Sequence, residues 1–144
     1  MDKILIRMAI PEEAGILAEI EGICFPPQEA ASPEQIEERM RTFPENFVVA
    51  EADGKPVGFI NGGTTDRPYL PDEMYHDASL HIPGGDYQTV FGLNVLPEYR
   101  HQGIAGELVE YFSALAEKRG KKGVVLTCKE RLIGFYENHG FQCY

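Results

Sequence analysis

Apolar residues along this chain change period several times, and each change marks an element. Between Lys3 and Ala9, the residues Ile4, Ile6 and Met8 alternate with others, which predicts an opening edge strand. Pro11 fits a first helical turn, and Glu12 and Glu13 complement the positive end of its dipole. Ile16, Leu17, Ile20, Ile23 and Cys24 follow at three- and four-residue spacing, and the helix must stop at Phe25 because Pro26 and Pro27 cannot continue it. A second helix starts at Ser32, the N-cap of a capping box completed by Pro33 and Gln35, and runs to about Thr42.

The runs Phe47 to Ala52 and Pro56 to Ile60, joined through Asp53-Gly54, predict an antiparallel hairpin. From Asn61 to Asp86 the chain is irregular and rich in glycine and proline, longer than a compact domain uses for a simple connection. Its acids Asp66, Asp72, Glu73, Asp77 and Asp86 and its aromatics Tyr69 and Tyr75 suit an amine-binding lid, and equally suit a mobile surface loop. Tyr87 to Val95 reads as one central strand. A helix from Gly103 to Arg119 then buries Leu108, Val109, Phe112, Leu115 and Ala116 and ends at Gly120. Val124 to Cys128 follows that crossover as a buried parallel strand, and Leu132 to His139 forms a short helix with Gly140 at its end, covered by Phe141. The fold class is α/β, a mixed sheet flanked by helices, and residues 1–144 make one domain.

Charge narrows the partners. A formal charge of −10 argues against a nucleic-acid partner, which would need a basic face, and favours a cationic substrate. No apolar run approaches the ~18 residues of a membrane span. Cys24, Cys128 and Cys143 are odd in number and lack a CxxC spacing, so neither a disulfide framework nor a metal site is indicated, and a reducing cytoplasm fits.

The strongest chemical signal is Arg100-His101-Gln102-Gly103-Ile104-Ala105-Gly106, placed where an apolar strand gives way to an amphipathic helix. The first amides of a helix lack intrahelical acceptors, and the dipole favours negative charge there. Gly103 keeps a Cβ off the backbone, and Arg100 and His101 add charge, so the stretch reads as a pyrophosphate cradle.

The pattern Arg-x-x-Gly-x-Ala after Leu93-Asn94-Val95 resembles motif A of the GNAT superfamily of N-acetyltransferases. Val124 to Cys128 followed by Phe135-Tyr136-Glu137-Asn138-His139-Gly140-Phe141 is similar to that family's next strand and tyrosine-bearing helix. Cys24-Phe25-Pro26-Pro27 and the long loop before the central strand are most similar to the arylalkylamine N-acetyltransferase branch. The resemblance implies acetyl-CoA as cosubstrate, no metal, and direct attack by a small primary amine in a ternary complex. It implies that the backbone of Leu93, Asn94 and Val95 binds the pantetheine arm and the thioester oxygen. Phe25, Pro26 and Pro27 would line the amine pocket. The family usually closes with a β-hairpin, of which only Phe141 to Tyr144 are present, so either the sequence is clipped or a partner chain, as in a homodimer, completes the sheet.

The resemblance assigns Tyr136 as the acid that protonates the departing thiolate; periodicity alone also allows a core aromatic paired with Leu132. The arylalkylamine branch carries two histidines on its central strand, where this chain has Thr89 and Phe91. Candidate bases therefore come from flanking loops: His81 first, since it titrates nearest neutrality, then Asp86, Asp77 and Glu29. His101 offers its backbone amide, His139 suits a helix C-terminus, and Cys128 reads as a small buried hydrophobe. Two other activities stay open: a peptide or lysine acceptor with the same cosubstrate, and a non-catalytic CoA-binding sensor. A dinucleotide-binding fold is the poorer reading, because the chain has no Gly-x-Gly-x-x-Gly after its first strand and its glycine turn comes too late.

Overall fold

The computed structural model describes residues 3–143. Its strands are β1 (Ile4–Met8), β2 (Phe47–Ala52), β3 (Lys55–Asn61), β4 (Thr64–Thr65), β5 (Tyr87–Val90), β6 (Gly92–Val95) and β7 (Gly123–Leu126). Its helices are α1 (Ala14–Cys24), α2 (Pro33–Thr42), α3 (Ile104–Lys118) and α4 (Ile133–Glu137). One sheet runs β1-β2-β3-β6 and the other β4-β5-β7, with only β5 and β7 parallel.

The local signals act as their chemistry requires. Asp53 and Gly54 take φ of 51° and 86°, the two positive angles that a tight hairpin turn needs between β2 and β3. Ser32 closes its capping box, its hydroxyl accepting from Gln35 N at 3.2 Å while Gln35 Oε1 accepts from Ser32 N at 2.8 Å. β1 lies at the sheet edge, paired only with β2. Alternation along β2 sends Phe47 and Val49 towards α1 and α2 and sends Val48 and Ala50 towards α3, giving one core on each face. In α1 the buried stripe is Leu17, Ile20 and Glu21, while Ile23, expected inside, is 61% exposed.

The central strand is not continuous. Tyr87 to Val95 breaks at Phe91 into β5 and β6, which belong to different sheets. The cause lies where β3 passes into β4. Asn61 O accepts from Phe91 N at 2.7 Å and Gly63 O from Thr89 N at 2.8 Å, and between them Gly62 presses so closely on the Thr89 carbonyl that no Cβ fits. β5 continues into the parallel pair with β7, whereas among the described residues β6 pairs only with β3, so a wedge opens between β6 and β7.

Three further expectations shift. The parallel strand ends at Leu126 and is half-buried throughout, leaving Cys128 beyond it. The last helix shortens to α4, preceded by a tight turn at Glu130–Leu132, and closes as expected with Gly140 at φ 92° and Phe141 N bonded to Tyr136 O. Residues 61–86 form a packed cover: Leu70, Met74, Ala78 and His81 are buried, and helical turns occupy Asp72–Tyr75 and Ala78–Leu80.

Candidate active site

The wedge ends at the turn that carries the glycine-marked motif. His101 and Gly103 are both left-handed, φ 65° and 82°, and Gly103 is the N-cap of the 15-residue α3. Its carbonyl accepts from Glu107 N at 3.1 Å, so the amides of Ile104, Ala105 and Gly106 have no intrahelical acceptor. No heavy atom lies within 4 Å of where a Gly103 Cβ would stand, and the space above the turn is open. Exposed Gln102 and His101 border it, and Arg100 Nε donates to Val95 O at 2.9 Å, tying the turn to the end of β6. These features fit a pyrophosphate group. Gly106 also makes room for a neighbour, since a Cβ there would sit 3.0 Å from the His139 ring, which packs on α3 and bonds Glu110 at 2.6 Å.

Along β6 the backbone groups divide by side. Leu96 N bonds Val57 O across the sheet, while Val95 O faces away and takes Arg100 Nε and, at 3.4 Å, Cys24 Sγ. Alternation then turns Asn94's backbone groups towards β3 and those of Leu93 and Val95 towards the wedge. Two of the three expected residues, Leu93 and Val95, therefore turn backbone groups towards the wedge. The third, Asn94, has a fully buried side chain.

Tyr136 stands on α4 at the far side of the wedge, its ring edge-on to Phe135 at 5.1 Å and to Phe141 at 5.4 Å. Burial, reinforced by nearby Cys128 and Tyr75, pushes its phenol up to about 12. It is thus neutral across the working range and holds a proton to give. The same burial pushes the Cys128 thiol up. Tyr75, from the cover, packs on Phe91 at 5.4 Å and lies beside Thr127 and Cys128. Phe25 is half-buried at the C-cap of α1, and Pro26 and Pro27 are exposed in the loop after it.

Sequence reading missed the most unusual group. Glu21, Arg39, Asn61 and Asn94 come from α1, α2, β3 and β6, and each is at least nine-tenths buried. Arg39 donates to Asn61 Oδ1 at 3.2 Å and to Tyr75 O at 2.9 Å, and its guanidinium lies 4.5 Å over the Phe91 ring. Glu21 Oε2 accepts from Ala31 N at 2.9 Å. Glu21 Oε1, Asn61 Nδ2 and both polar atoms of the Asn94 amide make no well-formed hydrogen bond among the described residues, although Asn94 lies close enough to Glu21 to favour its charged form. Burial, only partly offset by Ala31 N, Arg39 and Asn94, holds the Glu21 carboxyl above its usual range. A signal was present: Glu21 and Arg39 occupy positions on the apolar stripes Leu17-Ile20-Glu21-Cys24 and Ile36-Arg39-Met40-Phe43, where charge is not expected.

His81 is placed differently from the expected base. Its Nδ1 accepts from Thr64 N at 2.9 Å, its ring stacks on Phe43 at 4.7 Å, and burial lowers its pKa. These contacts fasten the cover to the body. Of the remaining candidates, Asp77 caps a turn of the cover, Asp86 faces Lys122 at 3.4 Å, and Glu29 pairs with Lys129 at 3.0 Å, all exposed. Among the described residues no group of three or more His, Cys, Asp or Glu gathers to hold a metal, and no helix is long and apolar enough to cross a membrane.

A split central strand, a left-handed turn with free amides at the start of a long helix and a buried tyrosine make up the candidate site. The chain belongs to the acetyltransferase (GNAT) family, whose model matches residues 15–141. It is 30% identical over 140 residues to the serotonin N-acetyltransferase of Mesocricetus auratus, covering 94% of this chain and 66% of that one, just under two-thirds of the relative's length. Among solved structures it is similar to the GphF GNAT-like decarboxylase in complex with isobutyryl-CoA, at 27% identity and a TM-score of 0.78, over 96% of this chain and 72% of that one. A GNAT family acetyltransferase from Brucella melitensis in complex with acetyl-CoA shares the fold at 21% identity and a TM-score of 0.69, over 99% and 84% of the two chains.

Proposed function

We propose that the protein transfers an acetyl group from acetyl-CoA to a small primary amine by direct attack. Acetyl-CoA supplies the activated acyl thioester. The amides of Ile104 to Gly106, with Arg100, His101, Gln102 and Gly103 around the turn, hold its pyrophosphate, and the outward backbone of Leu93 and Val95 aligns the pantetheine arm. An N–H on that edge stabilises negative charge on the carbonyl oxygen as the carbon becomes tetrahedral. Tyr136 keeps its proton at working pH and delivers it to the departing sulfur.

The observation that carries this reading is the open, left-handed turn at His101 and Gly103 set beside the edge of β6 that pairs with no strand among the described residues. Membership of an acetyltransferase family supports acetyl as the group moved. The packed cover over Phe91 favours a small amine over a peptide or lysine acceptor, which would need an open groove, and the serotonin N-acetyltransferase relative favours an arylalkylamine. In this reading Phe25, Pro26 and Pro27, at and just after the C-cap of α1, form part of the amine pocket. Three unpaired cysteines suit a reducing cytoplasm.

The test pairs thermal unfolding, with and without acetyl-CoA, with a free-thiol assay over arylalkylamines, polyamines and a lysine peptide. Stabilisation with amine-dependent thiol release supports the reading. Stabilisation without release from any amine replaces it with a CoA-binding sensor, and absence of stabilisation removes the cofactor assignment.

A further inference from the structure

The cover leaves the body at Thr64 and returns to it at Ile82, and its two ends are joined there. Thr64 O accepts from Ile82 N at 2.8 Å, and the Thr64 hydroxyl donates to Ile82 O at 2.5 Å. The third bond of the join is of another kind. His81 Nδ1 accepts from Thr64 N at 2.9 Å, and of these three residues His81 alone titrates. A ring nitrogen that accepts from an amide carries no proton, so the neutral ring keeps its hydrogen on Nε2. Thr64 is buried, so water does not replace that acceptor when it is lost. Packing holds the ring in place: it stacks on Phe43 at 4.7 Å, and a Cβ on Gly63 would stand 3.3 Å from Nδ1, 3.2 Å from Met74 Cε and 3.5 Å from the Phe91 ring.

We infer that His81 is a proton-sensitive fastener: neutral, it holds residues 65–81 closed over Phe91, and charged on Nδ1 it lets them go. Protonation sets the new N–H against the Thr64 N–H, two donors 2.9 Å apart. The Thr64 hydroxyl oxygen, 3.2 Å from Nδ1, can take the new proton, but the Thr64 amide is then buried without its acceptor.

Charges around the ring are few. Glu45, in the turn after α2, favours the proton, and Lys121, beyond α3 with its Nζ on Gly85 O at 2.6 Å, opposes it. Arg39 on α2 is engaged with Asn61 and Tyr75 O, Tyr75 turns its hydroxyl to Thr127, and Asp77 in the cover holds Ser79. Burial outweighs Glu45 and keeps the ring neutral below its usual range. The folded value thus lies below the unfolded one, so the fastening is complete above about pH 6.5 and is lost as pH falls from there through the folded value. Acid then loosens the wall that Tyr75 sets against Phe91 and spares the turn at His101 to Gly103, which lies at the far end of α3 from Lys121. The effect on the amine acceptor rests on the acetyl-transfer reading; the fastening does not.

The experiment follows the full chain from pH 8 to pH 5 by NMR and by hydrogen–deuterium exchange corrected for the intrinsic rate at each pH. His81→Asn offers an amide oxygen in place of Nδ1 and takes up no proton, while His81→Phe keeps a ring on Phe43 with no acceptor. In the parent the Thr64 amide and the His81 ring should titrate together, with a midpoint below about 6.5, and protection across residues 66–80 should fall about threefold or more. Protection should stay level in His81→Asn and be low at both ends of the range in His81→Phe. A Thr64 amide unmoved while His81 titrates, or an equal loss of protection in His81→Asn, overturns the fastener. The titration of the parent needs no variant and decides the matter where a variant fails to fold. With phenethylamine as probe, KM of the parent relative to His81→Asn should rise about threefold at pH 5 while the ratio of their acetyl-CoA affinities stays constant, the ionisation of the amine cancelling between the two. A constant KM ratio beside a pH-dependent cover overturns the link to the acceptor. Failure of the parent to acetylate any amine overturns the acetyl-transfer reading, and exchange still decides the fastener.

Discussion

Replacing Tyr136 by Phe separates catalysis from stability. The Tyr136 hydroxyl makes no hydrogen bond to a described residue, and the ring's contacts with Phe135 and Phe141 survive the change. Stability should therefore stay within about 0.5 kcal/mol, under about 2 °C in Tm for a chain of this size. Catalysis should not be spared. A phenol at about 12 lies some 3.5 units above an ordinary thiol near 8.5, and at about 1.4 kcal/mol per unit such a transfer would be uphill by roughly 5 kcal/mol in water. The site narrows that gap, because the burial that raises Tyr136 also raises the neighbouring Cys128 thiol and would act equally on a departing thiolate. A donor so placed, with its pKa still high, should supply the lower end of the general-acid range, about 10²-fold in kcat. The assay is steady-state thiol release at saturating acetyl-CoA and amine, from pH 6 to 10, with Tm measured on the same samples. Across that window the parent should show no alkaline loss assignable to Tyr136. A Phe variant within twofold of the parent in kcat at every pH would refute the assignment.

Other consequences can be measured separately. Burial holds the Glu21 proton more tightly in the folded chain, so its stability contribution is complete below about pH 4 and is lost as pH rises through the raised folded value. Glu21→Gln should accordingly raise Tm at pH 7 and leave it unchanged near pH 4; a lower Tm at pH 7 would contradict the sign. Gly103→Ala places a side chain at φ 82°, costing about 1–2 kcal/mol or roughly 3–6 °C, and should weaken acetyl-CoA binding at least tenfold by calorimetry, whereas unchanged affinity would move the pyrophosphate elsewhere. Arg39→Met removes the bond to Tyr75 O that ties the cover to α2, so limited proteolysis should concentrate new cuts in residues 66–86; an unchanged cleavage map would show that the cover's other contacts hold it without Arg39.

Local chemistry made much of this architecture legible. The Ser32 capping box, the Asp53-Gly54 turn, the proline stop after Cys24 and the glycine ends of α3 and α4 are each written within a few residues, and each folds as its chemistry dictates. The break at Phe91 was hidden because its cause is Gly62, in the link between β3 and β4, whose approach to Thr89 no pattern within Tyr87 to Val95 records. The anion-binding turn was readable for the same local reason as the caps. Glu21, Arg39, Asn61 and Asn94 were not, since each stands alone on its own element and only the packing of α1 and α2 over β3 and β6 gathers them. His81 shows the converse: a suitable pKa in the sequence gave no hint that Thr64 and Phe43 would enclose it.

Acetyl transfer to a small primary amine is the central claim, and its most direct test is mass-spectrometric detection of product after incubating the full chain with acetyl-CoA and a mixed panel of phenethylamine, its N-methyl derivative, a polyamine and a lysine peptide. The expected result is an acetylated primary amine formed in step with free CoA, with the N-methyl compound and the peptide left unmodified. CoA release with no acetylated amine, or acetylation of the peptide in preference to the small amines, would contradict it.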